Sequence, residues 1–519
     1  MTTIAPAPQE ILVDPRQLPD VTVVIAAATA TSTLTVCLES LLAQTIPADR
    51  LEILLIGTAP GRLGRAVNRR VRRYPDRLHA IRDTGRSAAA ARNRGIDEAR
   101  GRYLMFLDGS RRLAPGALAT MVETADREES DIVLAGAPRG VASVFSGAAY
   151  WSLSADKIYR AELLRRRNLR FPSGTAGGDV EEFTASAYVG ADLISAVEDP
   201  ATITPIDARG DAPVPASERI ASAARMMAYV EANVPDGAQR DHLMRRHFEV
   251  DLGAATGLAL MSEPADQRAG ILESARRLLS RHLTPEIRAA LPALMTVRFA
   301  LIERGHDAAA LTLAARKPDA KAPKKVIEDG RVYASYPFFR DLALGVPDDA
   351  FDITDEPTVT QELENLSWSG AACTLTGYAF FEELSTRKRD TRILLRERRS
   401  GAEQRFIVTS VQRLDKVNRL GKARSMCGYR CRVNLRQTGD GYPIQPGLWD
   451  VYASVSFEGV TREVRLGHQR SAKVDTTARR SIVISEASIA DGHELIVMPY
   501  FTDHDNLTFE VSSRLPLPL

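Results

Sequence analysis

Five short apolar runs, spaced by helical or polar stretches, dominate the first third of the chain: VTVVIA at 21–26, LEILLIG at 51–57, LHAIRD at 78–83, YLMFLD at 103–108 and DIVLAG at 131–136. Continuous runs of this length, rich in β-branched residues, are the pattern of strands buried on both faces. After the first run, Leu34, Cys37, Leu38, Leu41 and Leu42 recur at i, i+3, i+4, i+7 and i+8. That is one apolar stripe of a helix, which Ser32 or Thr33 can cap. Strands separated by helices imply right-handed crossovers and a mainly parallel sheet, the α/β class, with ligands at the carboxyl ends of the strands. Asp83 and Asp108 stand at two such ends.

Composition bounds the rest. At 519 residues the chain is about three times the usual domain length, so two to four domains are expected. With 68 basic and 66 acidic residues the net charge is +2, which gives no global electrostatic reason to expect nucleic acid as a partner. Cys37, Cys373, Cys427 and Cys431 are too few and too scattered for a disulfide framework, pointing to a reducing cytoplasm. Cys427 and Cys431 lack the second pair that would complete a zinc site, and the histidines show no HExxH spacing. Residues 1–20 carry Pro6, Pro8, Pro15 and Pro19 with acids and no apolar core. They read as a flexible leader and not as a signal peptide or membrane span. GTAPGRLG at 57–64 lacks the G-x-G-x-x-G spacing of a dinucleotide site. The run Arg165, Arg166, Arg167 and Arg170 reads as a solvated helix face or as a contact for a phosphate-rich polymer.

The order of these elements, with ARNRGIDEARG feeding RYLMFLD, resembles the GT-A fold of inverting family-2 glycosyltransferases over residues 21–200. SADKIYRAELLRRRNLRFP at 154–172, followed by an acidic cluster, resembles the poly(ribitol-phosphate) N-acetylglucosaminyltransferases that decorate wall teichoic acid. LWDVYASVSFEGVTREVRLGHQR at 448–470 and MPYFTDHDNLTF at 498–509 are similar to the immunoglobulin-like region of those enzymes. The resemblance implies transfer of a sugar from a nucleotide sugar, of the UDP-sugar kind, to a hydroxyl of an anionic cell-envelope polymer. It also implies Mn²⁺ or Mg²⁺ beside the diphosphate in an active enzyme, and a homo-oligomer built through the C-terminal domain. The expected location is the cytoplasm, peripheral at the inner face of the membrane, with no transmembrane segment.

Carried over residue by residue, the resemblance places Asp108 on the first acid of the metal motif and Ser110 on the second. A neutral hydroxyl is a poor ligand for either ion. The acids that read uracil fall on Gly57 and Thr58, and the first strand's proline, aromatic and polar positions fall on Ala26, Ala28 and Thr29. Donor contacts are therefore expected from Asp83, Asp108, Arg111 and Arg112. The two arginines can replace the metal through bidentate bonds to phosphate oxygens, or stand as solvated loop residues. The family's Glu-Asp base pair falls on Asp179 and Val180, with Glu181 and Glu182 next; a one-residue slip makes Asp179 the base. The alternative is that Asp179 caps the helix opening after Gly177-Gly178.

From about Pro213 the period becomes helical. Ser217 is placed as a cap, Ile220, Ala224, Met227 and Val230 lie on one side, and Thr284-Pro285 opens a later helix. ARKPDAKAPKK at 315–325 reads as a linker. Beyond Phe351, RILLRE, RFIVTS, YRCRVNL and LWDVYASVSF alternate as half-buried strands of a β-sandwich. The expected plan is a leader at 1–20, a GT-A domain at 21–212, a helical lobe at 213–314, a linker at 315–350 and an immunoglobulin-like β-sandwich at 351–519. Two functions follow. One is an inverting transferase with Asp108 near the diphosphate and Asp179 as base. The other is a pseudo-transferase that keeps the scaffold for binding or assembly on anionic wall polymer or beside an active paralogue.

Overall fold

The computed structural model describes residues 18–27, 32–57, 64–82, 87–136, 140–145, 147–154, 156–173, 178–198, 203–206, 214–317, 320–384, 389–413, 415–418, 421, 426–439, 441–475, 481–484 and 494–514. The chain divides into two compact units, Met1–Ala320 and Lys321–Leu519. The first unit opens with β1 (Val21–Ala27), α1 (Ser32–Leu42), β2 (Leu51–Gly57), α2 (Gly64–Arg73), β3 (Leu78–Arg82), α3 (Ala88–Glu98) and β4 (Tyr103–Phe106). It continues with β5 (Arg111–Leu113), α4 (Ala117–Arg127), β6 (Ile132–Ala135), β7 (Gly140–Val141), β8 (Lys157–Arg160), α5 (Ala161–Arg166), α6 (Asp179–Gly190), β9 (Ile194–Val197) and β10 (Ile203–Pro205).

Eight strands form one sheet in the order β3-β2-β1-β4-β8-β6-β9-β7. The five apolar runs all became strands, and β3, β2, β1 and β4 are parallel as expected. The sheet is mixed because β8 runs antiparallel to both β4 and β6. Its sequence, KIYR, is four residues long and sits against a short helix, so it carries no run that pattern reading detects.

Each face of the sheet has its own helices. Val21, Val23, Ile25, Ile53 and Leu55 meet Leu34, Leu38 and Leu41 of α1, Val67 of α2, and Leu118 and Met121 of α4. On the other face lies α3, and Phe106 holds Phe171 and Phe183 of α6 at ring distances of 4.8 and 5.3 Å. Phe171 and Phe183 stack at 3.9 Å. Two glycines of the 91–110 stretch permit this packing. A Cβ at Gly95 would lie 2.3 Å from Val24 Cγ1, and one at Gly101 would lie 2.5 Å from the Thr22 amide nitrogen.

Residues 216–314 are largely helical, with α7 at Ala216–Asn233 packing on α6. Ser217, expected as a cap, is inside this helix: Pro215 holds the cap position and Ser217 bonds Glu263 instead. Thr284 caps the Pro285–Ala290 helix as expected, accepting the Ile287 amide at 3.2 Å.

In the second unit every ladder is antiparallel. The stretch read as a linker holds a hairpin, Lys324–Glu328 against Arg331–Ser335. Two further sheets follow, one of four strands and one of seven. RFIVTS, read as one strand, is two: Glu403–Ile407 belongs to the larger sheet and Thr409–Val411 to the smaller. A strand that changes sheets in this way forms a corner, which alternation cannot reveal. Gly447–Phe457 alternates as expected except at Asp450, which is buried between Arg398 and Arg465 and bonded by Thr508.

Gly95→Ala should destabilise the first unit by about 1–2 kcal/mol, since overpacking outweighs the better helix propensity of alanine. In urea denaturation, adding Val24→Ala should cost less than the two single losses summed; strict additivity would show that Gly95 is not in contact there.

Candidate active site

Asp108 stands where β4 ends, and its side chain is exposed. Oδ1 accepts the Ser110 amide at 2.7 Å and the Asp108 carbonyl accepts the Arg111 amide at 3.0 Å. The acid thus closes its own turn, as short polar side chains do at strand ends. Cys37 of α1 lies beneath, with Sγ 3.9 Å from the Asp108 carbonyl oxygen. Burial, with the Asp108 charge adding to it, pushes the Cys37 thiol up to about 12, so it stays neutral.

Arg111 and Arg112 are successive residues of β5, and successive side chains of a strand leave opposite faces. Arg111 Nε lies 4.0 Å from Asp156 Oδ2, just before β8. Arg112 turns the other way and donates from Nε to Thr204 Oγ1 of β10 at 3.2 Å.

Asp179 is the first residue of α6. Gly178 occupies the cap position at φ 77°, so Asp179 lies inside the first turn and not at the cap. Its Oδ2 accepts from Arg92 Nη1 of α3 at 2.6 Å, both side chains being mostly buried. The Arg92 guanidinium also lies 5.3 Å from the Phe171 ring centre. Its neighbour Asn93 donates from Nδ2 to the Phe171 carbonyl and accepts the Phe171 amide through Oδ1, both at 2.8 Å. Arg92 and Asn93 therefore hold Asp179 and Phe171 respectively. Sequence reading passed over them, although they lie inside ARNRGIDEARG. Among the described residues no hydrogen bond or ion pair joins Asp179 to Asp108 or Arg111.

The next acids of α6 face the lobe. Glu182 receives a forked set of bonds from Arg225 and one from Ser222 at 3.1 Å. A Cβ at Gly178 would meet Ser222 Oγ at 2.3 Å, so the glycine allows both the left-handed turn and this contact. Burial raises the Glu181 carboxyl, and Asp251 and Asp179 add to the rise while Arg246 opposes it. Asp251 belongs to a buried group on a π-helical turn, His247–Leu252. Its carboxylate binds Arg246 and takes the His247 Nδ1 proton at 2.8 Å, which leaves Nε2 to accept from the Tyr150 hydroxyl at 2.9 Å. His242 donates from Nε2 to the Gly147 carbonyl at 2.9 Å.

Mn²⁺ or Mg²⁺ demands several oxygen ligands in a defined shell. Among the described residues no three His, Cys, Asp or Glu side chains converge, and one Asp108 oxygen is already held by the Ser110 amide. Asp108, with one oxygen committed to the turn and a neutral hydroxyl at Ser110, is a poor fit to either ion. Asp83, Ala28, Thr29 and Thr58 lie outside the described residues.

Three family descriptions match the sequence in chain order: Glycosyl transferase family 2 over residues 22–178, the glycosyl transferase TarS linker domain over 217–314, and TarS beta-glycosyltransferase C-terminal domain 1 over 352–511. The chain is a TarS-type family-2 glycosyltransferase homologue. It is 20% identical over 529 aligned residues to a poly(ribitol-phosphate) beta-glucosyltransferase of Bacillus spizizenii, covering 95% of this chain and 78% of that protein. It is 26% identical over 125 residues to the poly(ribitol-phosphate) beta-N-acetylglucosaminyltransferase TarS of Staphylococcus aureus, covering 21% of this chain and 22% of TarS. The fold is like that of the S. aureus TarS crystal structure, with a TM-score of 0.57 and 17% identity over 95% of this chain and 85% of that one. The structure of TarS residues 1-349 with UDP-GlcNAc gives 0.52 and 16% over 61% of this chain and 97% of that one. The architecture is accordingly a GT-A mixed α/β domain, a helical linker and a C-terminal antiparallel β domain.

A buried cation lies on the neighbouring strand β8, at the same end of the sheet. Lys157 of β8 is 1% exposed and donates to the Ser154 carbonyl at 2.6 Å. Burial brings it down from its ordinary 10.5 to about 8. Between these values the unfolded chain holds the extra proton, so folding stability rises as pH climbs through that window. Urea denaturation at stepped pH should show wild type gaining up to about 3 kcal/mol relative to Lys157→Met across it; a constant difference would mean Lys157 titrates normally.

Proposed function

We propose that the chain transfers a sugar from a nucleotide-sugar donor to a hydroxyl of a ribitol-phosphate-type wall polymer. The observation that carries this reading is the near full-length match, all domains in order, to a poly(ribitol-phosphate) glucosyltransferase. The donor lies across the carboxyl ends of β1 and β4, where open α/β sheets hold ligands, next to Asp108; Asp83 is a further donor contact by its sequence position after the third apolar run alone. The departing diphosphate needs positive charge as the bond to the sugar breaks. Arg111 supplies it, because among the described residues its guanidinium is paired at a long 4.0 Å with Asp156 and can swing to a phosphate. Arg112 faces away and takes no part. A divalent metal has few protein ligands here among the described residues, so in this reading the guanidinium carries the charge.

Asp179 is the base of this reading. One of its oxygens is fixed by Arg92, which leaves the other to receive the proton of the acceptor hydroxyl as that oxygen attacks the sugar. The domain plan that goes with this is a donor domain at 21–212, a lobe at 213–314 that completes the acceptor groove, a linker at 315–350 and an immunoglobulin-like sandwich at 351–519 through which copies associate. The setting is the cytoplasmic side, where nucleotide sugars are made available.

A second reading, of a scaffold without turnover, draws on the single exposed acid at the end of β4 and its commitment to the Ser110 amide. Under it the protein binds anionic polymer or an active relative and releases no nucleotide.

Calorimetric titration with UDP, UDP-glucose and UDP-GlcNAc separates the two. Binding should change less than about threefold on adding Mn²⁺, fall about tenfold or more in Arg111→Ala, as loss of a phosphate-paired guanidinium requires, and stay near wild type in Arg112→Ala. Strong Mn²⁺ dependence would remove the cationic route, and no nucleotide binding at all would leave the scaffold. With a productive donor and ribitol-phosphate acceptor, Asp179→Asn should cut turnover about a hundredfold or more while keeping donor affinity; unchanged turnover would take Asp179 out of the chemistry.

A further inference from the structure

The α2 helix reads GRAVNRRVRR, with five arginines and no acid in ten residues. Val67, Val71 and Tyr74 recur at i, i+4 and i+7 and pack onto the core shared with α1 and α4. On an ideal helix Arg65, Arg69, Arg72 and Arg73 then all point within about 50° of the outward direction, and all four are exposed. Arg70 is turned aside and paired with Glu39. None of the other four is paired with an acid among the described residues, although Arg73 also lies 5.5 Å from the Tyr74 ring centre. A chain whose net charge is only +2 thus concentrates four uncompensated charges on one helical crest.

We propose that this crest docks the protein on an anionic phospholipid surface. The charges span an arc of about 100° and a length of about 12 Å, a broad outward face suited to a plane of headgroups more than to a single threaded polyanion. No large apolar side chain lies on the arc, so the contact is adsorption to headgroups without insertion. No helix of the described residues is long and apolar enough to cross a membrane. Because α2 shares its sheet face with α1 and α4, while the lobe packs on α6 behind the other face, docking leaves the lobe uncovered. The inference is independent of sugar transfer.

The test is co-sedimentation of the full chain with vesicles of phosphatidylglycerol and phosphatidylcholine, against vesicles of phosphatidylcholine alone. Binding should require phosphatidylglycerol, weaken with salt, and drop about six-hundredfold in Arg65→Gln/Arg69→Gln/Arg72→Gln/Arg73→Gln, at roughly fivefold per charge near the surface. The same four positions changed to Lys should keep it. If the fourfold Gln variant melts early, Arg69→Gln/Arg72→Gln should still lose more than about tenfold. Equal binding to neutral vesicles, or unchanged binding of folded Gln variants, overturns the proposal. So does a delipidated polyol-phosphate polymer that binds through these arginines while vesicles do not.

Discussion

The close approach of α3 to β1 sets the geometry of everything that follows in the first unit. Position 95 has no side chain, so the helix sits directly on Val24, and Gly101 lets the chain turn beside Thr22 into β4. A helix held at that depth brings Arg92 and Asn93 level with Phe171. Asn93 then uses both its donor and its acceptor on one peptide, and Phe171 stacks on Phe183 at the start of the next helix. Buried amide pairs of this kind are expensive to leave half-satisfied, which makes the arrangement specific as well as stable. The placement of Asp179 therefore follows from a glycine more than eighty positions earlier in the sequence.

Electrostatics at the end of β4 run differently. A metal-bearing site tolerates clustered acids because the ion neutralises them. With Ser110 in place of an acid a cation has one carboxylate fewer to balance, and Asp108 spends one oxygen on the turn. The remaining charges sort into pairs of modest reach: Arg111 with Asp156, and Asp179 with Arg92. The first is the longer and can rearrange around a phosphate without breaking a tight buried ion pair, which is why Arg111 is the arginine of β5 proposed as the donor contact.

What the sequence disclosed follows the range of the forces involved. The apolar runs at 21–26, 51–57, 78–83, 103–108 and 131–136 announced their strands because burial on both faces leaves a local signature. KIYR at 157–160 did not, since four residues between a turn and a helix carry no period. Arg111 and Arg112 were read as equals, and only the strand they form separates them. Val408, between the two halves of RFIVTS, passes from one sheet to another at a corner that no alternation marks. Arg92 and Asn93 were in view from the start, yet their partners lie more than seventy residues away. Asp83 remains an expectation from position alone.

The join between donor domain and lobe shows how such distant terms add up. His247, Asp251, Arg246 and Tyr150 are all buried, and three of them can carry charge. Removing one partner of a buried charged set costs about 3–5 kcal/mol, because the other is left without compensation. Burial disfavours the protonated His247 ring while the Asp251 bond opposes that shift; Asp251 also pairs with Arg246, and the ring bridges to Tyr150. Glu181 lies in the field of this set and Glu182 is clamped by Arg225, so both acids after Asp179 are tied to the lobe. Any shift of the lobe must therefore move the amino end of α6, and with it the carboxylate proposed to accept the proton.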